Sequence, residues 1–402
     1  MDRHRRAAVA GAGAVRIALL ALHFAEYSSR LALALSASHQ VLLVLRSSNA
    51  RSELPDDLRA TLQQAVNVRS LDIPRFRDPR LAGRILAIGR ILRDFSPDIL
   101  HVQEAHVALN AWPIVTLRRR VPVVLTVHDH VLHSGGPGVF TTGSWKWKVL
   151  QWSRRKADRL IVHGPRMRTE LAELSGARAP GRIDVIPHGI LGRTGIDDDG
   201  SHYEPATFLF FGRIESYKGL RYLLDACDAL RSRGHVIRLV VAGTGADLER
   251  HRGRIAAAAG IDLIDRYISA AEVPGLFRRA MAVVLPYTDA TQSGVAAMAF
   301  AFARPVIATG VGDVPDVVID GRTGLLVPPR DARALAGAME RLLVDRALRD
   351  SLATGAANFA RANLSWPRIA DWTCEVYRRA LSSGRIRECA TQPDGFRPLS
   401  RD

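Results

Sequence analysis

Nine short apolar runs, separated by stretches with helical spacing, constrain this 402-residue chain more than any other feature. "RIALLAL", "QVLLVLR", "DILHVQ", "PVVLTVHD" and "RLIVHG" lie in the first half, and "TFLFFGR", "IRLVVAG", "MAVVLP" and "RPVIATG" in the second. Runs of about four to eight apolar residues without alternation suit strands buried on both faces. Between them, "DPRLAGRILAIGRILRDF" and "GLRYLLDACDALRSRG" place apolar residues three and four apart, the period of a helix packed on one side. Repeated strand–helix units predict an α/β chain with two doubly wound parallel sheets, in two domains facing each other across a cleft. The break falls in "PHGILGRTGIDDDGSHYEP", rich in Gly and Asp and without periodicity. The expected organisation is a first domain over 1–187, a linker over 188–205 and a second domain over 206–364. A closing helix over 365–384 and a frayed tail over 385–402 complete it.

Such a chain is long enough for two full cores. Its formal charge of +16 favours an anionic partner. Only residues 146, 148, 156 and 218 are lysines, so arginine carries nearly all of that charge, and codon bias explains the excess as readily as a binding surface does. Residues 1–200 hold 29 basic against 18 acidic residues and the remainder 27 against 22, so the first half is the better candidate for an anionic surface. A nucleic-acid partner is not expected, because no motif of that kind accompanies the charge. Cys227, Cys374 and Cys389 are too far apart for a metal spacing or a disulfide framework, which suits a reducing cytoplasm. The basic, then apolar N-terminus mimics a signal peptide, but Arg16 interrupts it and "VRIALLAL" reads as an ordinary first strand. No apolar stretch reaches the roughly 18–20 residues of a membrane span.

In doubly wound sheets ligands bind beyond the carboxyl ends of the strands. In "FFGRIESYKGL", Gly212 ends a strand, Arg213 follows, and Lys218 opens a helix. A guanidinium fork and a compact ammonium beside a helix N-terminus suit a diphosphate; a solvated loop with two ordinary cations is the alternative. Gly243, Thr244 and Gly245 form a glycine turn after "LVVA", and Thr291, Gln292, Ser293, Gly294 and Val295 bring hydroxyls, an amide and bare N–H groups to a helix start. From Asp289 to Asp313 no carboxylate intervenes, and neutral donors hold phosphate better without one. His128 follows a buried strand, where a structural role is as open as a chemical one. The nearby Asp129, His130 and His133 do not make a metal site, since adjacent ligands on extended chain face opposite sides. "SWKWKVLQWSRRK" interleaves tryptophans and cations, as a headgroup-binding helix does and as a solvated helix with core aromatics also does.

The ordered set of these motifs resembles the retaining GT-B glycosyltransferases of family 4. "SPDILHVQ", "VPVVLTVHD", "ADRLIVHGPRMRTEL" and "RIDVIPHGI" are similar to the landmarks of that family's N-terminal, acceptor-side domain. "FFGRIESYKGLRYLLDA", "VVAGTGADL", "ARPVIATGVGDVPDVVIDGRTGLLVPPRD" and "LSWPRIADWTCEVYRRAL" are similar to its donor domain and closing helix. The resemblance implies two Rossmann-like domains and transfer of a sugar from a nucleotide diphosphate to a glycan or lipid-linked acceptor. It implies that Arg213 and Lys218 neutralise the diphosphate, that Gly212 and residues 243–245 approach the donor, and that Arg266, Tyr267 and Ile268 frame the base. His128 would reach the transferred sugar. No cofactor or metal is expected, the cation pair serving instead, and retention would be front-face, the leaving phosphate taking the acceptor's proton.

Two departures stand out. The family carries two glutamates eight positions apart, and here the alignable positions are Thr291 or Ala290 and Ala299 or Met298. The first glutamate grips sugar hydroxyls, so its absence bears on donor-sugar choice more than on phosphate binding. The usual Gly-Gly turn after the first strand is replaced by "ALHFAEYSSR", which alters the acceptor side. The expected function is an active transferase in cell-surface polysaccharide or glycolipid synthesis, cytoplasmic and peripheral at the inner membrane face. The alternative is a GT-B protein that has lost catalysis and binds nucleotide or glycan as a scaffold.

Overall fold

The structure is a computed structural model that describes residues 14–74, 78–104, 111, 114, 116–118, 120–128, 144–175, 180–192, 202–290 and 293–383. The chain divides into two compact units, Met1–Pro187 with Trp366–Asp402, and His188–Ser365.

In the first unit, β1 (Arg16–Ala21), β2 (Gln40–Arg46), β3 (Asn67–Leu71), β4 (Ile99–Gln103), β5 (Val123–Thr126), β6 (Arg159–Val162) and β7 (Ile183–Val185) form one sheet. Its order is β3-β2-β1-β4-β5-β6-β7, with every pairing parallel. β1, expected as an ordinary buried strand, shows why the pattern was continuous rather than alternating. Ala18 and Leu20 join one core cluster, while Ile17 and Leu19 point the other way and are equally buried.

In the second unit β8 (Thr207–Phe211), β9 (Arg238–Ala242), β10 (Ile261–Ile264), β11 (Ala282–Leu285), β12 (Val306–Thr309) and β13 (Gly324–Val327) follow the order β10-β9-β8-β11-β12-β13, again all parallel. Leu209, Val283 and Ala308 face a core containing Phe277, Phe300 and Phe359. Phe208, Phe210, Val284 and Ile307 face a separate one with Leu224 and Met339. Helices therefore cover both faces, the doubly wound arrangement expected.

After a five-residue π-helical turn, Ala360–Leu364, the chain re-enters the first unit as the helix Trp366–Ser383. Tyr377 Oη lies 2.7 Å from His101 Nδ1, Arg379 pairs with Asp184 at 2.9 Å, and Trp366 meets Tyr27 edge-on. Among the described residues, no helix is long and apolar enough to cross a membrane.

Candidate functional site

Strand order reverses between β8 and β11, and ligands in such sheets bind beyond the strand ends at that point. The loops converging there are locked backbone to backbone. Gly212 N donates to Ala242 O at 2.9 Å, Ile214 N to Thr244 O at 3.0 Å, and Thr288 N to Tyr217 O at 2.7 Å. Two of the glycines are required. Gly219 (φ 70°) lies so close to Pro286 that a Cβ would collide with its carbonyl oxygen, and Gly243 (φ 138°) stands in the same relation to Gly212 O.

Against this frame sit the two cations. Arg213 is exposed, while Lys218 is 8 % exposed and ends a 3-10 turn, Ser216–Lys218, just before the helix Leu220–Ser232. The Lys218 ammonium lies over Gly212, 3.0 Å from where a Cβ would stand, and 5.5 Å from the centre of the Tyr287 ring. Burial lowers its pKa to about 8, Arg213 adds to that and Glu215 opposes it. Among the described residues neither cation forms an ion pair with a carboxylate, although most arginines of this unit do.

Beyond β11, Tyr287 is buried and its hydroxyl is hydrogen-bonded to Ser293, burial holding the phenol well above its usual range. Thr309 Oγ1 donates to Tyr287 O at 2.5 Å. Ser293 caps the helix Gly294–Ala301, its Oγ accepting from Ala296 N at 3.3 Å, and Gly294 and Val295 are half-buried at that helix start. Thr291 and Gln292 lie outside the described residues. Of the two positions where the resemblance led to an expected second glutamate, Ala299 is sealed in the apolar core, where a carboxylate would have no partner, and Met298 packs half-buried on the same core.

Beyond β10, Arg266 is held by Glu272 at 2.5 Å, and the guanidinium keeps that carboxyl at about 2. Ile268 turns into the core, so the Tyr267 ring, 76 % exposed, is the side chain that this segment offers a base.

In the first unit His128 is buried, and neighbours hold both its ring nitrogens. Nε2 is 2.8 Å from Gln103 Oε1, and Nδ1 is 3.1 Å from His163 Nε2. The Ile186 carbonyl can only accept, so His163 Nδ1, at 2.9 Å, carries the hydrogen there. Phe24 stacks on the His128 ring at 3.7 Å. Its backbone is left-handed (φ 57°, ψ 47°), which costs a non-glycine residue about 1–2 kcal/mol. Sequence reasoning missed Gln103, His163 and Phe24. The one signal was the polar, same-face pair His101 and Gln103 inside an otherwise apolar strand. Asp129, His130 and His133 lie outside the described residues, among which no group of three His, Cys, Asp or Glu could hold a metal ion.

In the helix Trp145–Lys156, not every cation of the segment lies at the surface. Arg154 is 1 % exposed and forms a bidentate pair with buried Glu104 at 2.6 and 2.8 Å. Trp152 packs against the core, while Trp145, Lys146, Lys148, Arg155 and Lys156 remain exposed.

Comparison with known proteins accords with this geometry. Residues 25–190 match the family described as Glycosyltransferase Family 4, and residues 205–345 the one described as Glycosyl transferases group 1. The chain is 30% identical over 309 residues to a glycogen synthase of Mycobacterium tuberculosis, covering 73% of this chain and 71% of that one. It is 33% identical over 371 residues to a D-inositol 3-phosphate glycosyltransferase of Frankia alni, covering 83% and 89%. Among solved structures, Anabaena HepE in complex with UDP superposes with a TM-score of 0.69 at 16% identity, over 91% of this chain and 100% of that one. Sucrose-phosphate synthase of Thermosynechococcus elongatus does so with 0.68 at 22% identity, over 92% and 100%. With both units matched and the fold shared, the chain belongs to the group 1, family 4 glycosyltransferases, built on the GT-B pair of Rossmann-like units.

Proposed function

We propose that the protein transfers a sugar from a nucleoside diphosphate to a hydroxyl of a glycan or lipid-linked acceptor, with retention and without a metal ion. The observation that carries this is the pair Arg213 and Lys218, two cations at the end of β8 that form no ion pair among the described residues. An arriving diphosphate supplies the missing charge, raises the Lys218 pKa and fixes the ammonium in its charged form. As the glycosidic bond breaks, negative charge grows on the leaving phosphate, where a preformed cation pair stabilises it more than it stabilises the intact donor. In front-face retention, a phosphate oxygen takes the acceptor's proton while the acceptor oxygen bonds to the anomeric carbon. Related structures carry UDP and UDP-glucose, which favours a nucleotide-sugar donor. The exposed cations and Trp145 on the helix Trp145–Lys156 support a place at an anionic membrane surface on the cytoplasmic side.

The test is thermal unfolding with UDP, GDP, ADP and dTDP, alongside an Arg213→Ala, Lys218→Ala double variant. A ligand at about 100 times its Kd adds roughly 2.7 kcal/mol, a shift of several degrees. One nucleotide stabilising the protein and not the variant supports the reading and names the donor base. Turnover of the matching nucleotide sugars then separates an enzyme from a scaffold. Stabilisation by none of the four overturns the donor site.

A further inference from the structure

One side chain touches both halves of the candidate diphosphate site. Tyr287 lies just beyond β11 and is 3 % exposed. The Lys218 ammonium stands over its ring, 5.5 Å from the centre, and its hydroxyl is hydrogen-bonded to Ser293 at the start of the helix Gly294–Ala301. Its neighbours fix it there. Thr309 Oγ1, at the end of β12, donates to the Tyr287 carbonyl, and the Tyr217 ring, in the turn that carries Lys218, meets the Tyr287 ring edge-on at 6.2 Å. The next amide, Thr288 N, donates to Tyr217 O.

The face of an aromatic ring is electron-rich and favours the charged form of an ammonium, against the burial that disfavours it. Of the charged groups that act on Lys218, Arg213 works against its charge and Glu215 supports it. At the other end, Ser293 Oγ already accepts from Ala296 N at 3.3 Å. A hydroxyl has two lone pairs and one hydrogen. Burial keeps the phenol protonated, and a buried O–H left unspent is costly, so its hydrogen goes to the second lone pair of Ser293. The serine hydrogen is then left for an anion.

We propose that Tyr287 is a positioning residue of the donor site. Its ring holds the Lys218 ammonium and its hydroxyl makes Ser293 a donor only, so that charge and hydrogen bond meet a nucleoside diphosphate together. This rests on the glycosyl-transfer reading, which gives the donor to the second unit.

The experiment uses the full chain as the natural protein, Tyr287→Phe, Ser293→Ala, the double variant, and a protein with pentafluorophenylalanine at position 287. That last ring keeps the shape of phenylalanine but has an electron-poor face. Lys218 is one of four lysines, so its carbon-13 side-chain signal is assigned with Lys218→Ala and titrated by NMR without ligand. Expected is the same midpoint in the natural protein and Tyr287→Phe, and one about half a pH unit or more lower with the fluorinated ring. Calorimetry then gives the Kd of UDP, GDP, ADP and dTDP at neutral pH. Each single variant is expected to bind about tenfold more weakly, and the double variant no more weakly than either, because the phenol acts through Ser293. A Lys218 midpoint that ignores the fluorinated ring overturns the proposal. Losses that add in the double variant overturn it too, since a merely structural tyrosine gives that result. If none of the four nucleotides binds the natural protein, the donor reading fails, while the Lys218 midpoint still decides whether the ring holds the ammonium.

Discussion

Over six strands the two units run the same parallel order, and they end their first strands in corners of different character. In the second, Gly212, Gly219 and Gly243 bring backbones together, and among the described residues Arg213 and Lys218 form no ion pair with a carboxylate. In the first, the strained Phe24 covers His128, and Glu53 holds the leading amide of the next helix. One corner is left electrostatically incomplete and the other is completed by the chain itself. A shared topology thus fixes where such corners lie, and residues contributed locally or from afar decide how each one is satisfied.

The largest test of this contrast is chemical. Arg213→Ala with Lys218→Ala is expected to lower sugar transfer by about a thousandfold or more, measured as kcat/KM once a donor is known, with the urea-unfolding midpoint little changed. A donor-dependent rate that survives the pair would remove the premise that the second corner is the charged one. Next comes Gly219→Ala, which drives a Cβ into Pro286 O at a left-handed position and is expected to destabilise by about 3 kcal/mol in urea unfolding.

A smaller effect follows pH. The folded Lys218 loses its proton near pH 8, against the usual 10.5, so between these values the unfolded chain binds more protons and the ligand-free protein gains stability as pH rises. Nucleotide binding needs the proton, and its Kd is expected to weaken by about tenfold per pH unit above about 8. Calorimetric titration from neutral to alkaline pH would show this, and a Lys218→Ala variant should give a flat profile. The smallest change is Phe24→Gly. Relief of about 1–2 kcal/mol of backbone strain offsets the loss of a ring stack worth about 0.5–1.5 kcal/mol, leaving stability within about 1 kcal/mol of the natural protein. A glycine thus enters the first corner nearly free, whereas a methyl group cannot enter the second.

The sequence revealed the second corner far better than the first, for a physical reason. Gly212, Arg213, Lys218 and Gly219 lie within eight consecutive residues, and strands buried on both faces announce themselves as continuous apolar runs. The first corner is assembled over distance. Glu53 reaches Ala25 from 28 positions away, and Gln103 and His163 reach His128 from 25 and 35. Nothing local in "ALHFAEYSSR" shows a left-handed phenylalanine. The burial of Arg154 is hidden for the same reason, since its partner Glu104 is 50 residues distant. Conversely, only the family resemblance led to Ala299 as a position to inspect, and only the packed helix shows it sealed in apolar surroundings.

The return of Trp366–Ser383 to the first unit also orders events in time. During synthesis the second unit emerges as one uninterrupted stretch, His188–Ser365, and has all its parts before the first has its last. The buried partners Tyr377 and Trp366 reach His101 and Tyr27 only after that stretch has been made, about ten to forty seconds later at ordinary elongation rates. Until then the first sheet lacks the helix that covers His101 and Tyr27, so the half of the molecule that begins first is finished last.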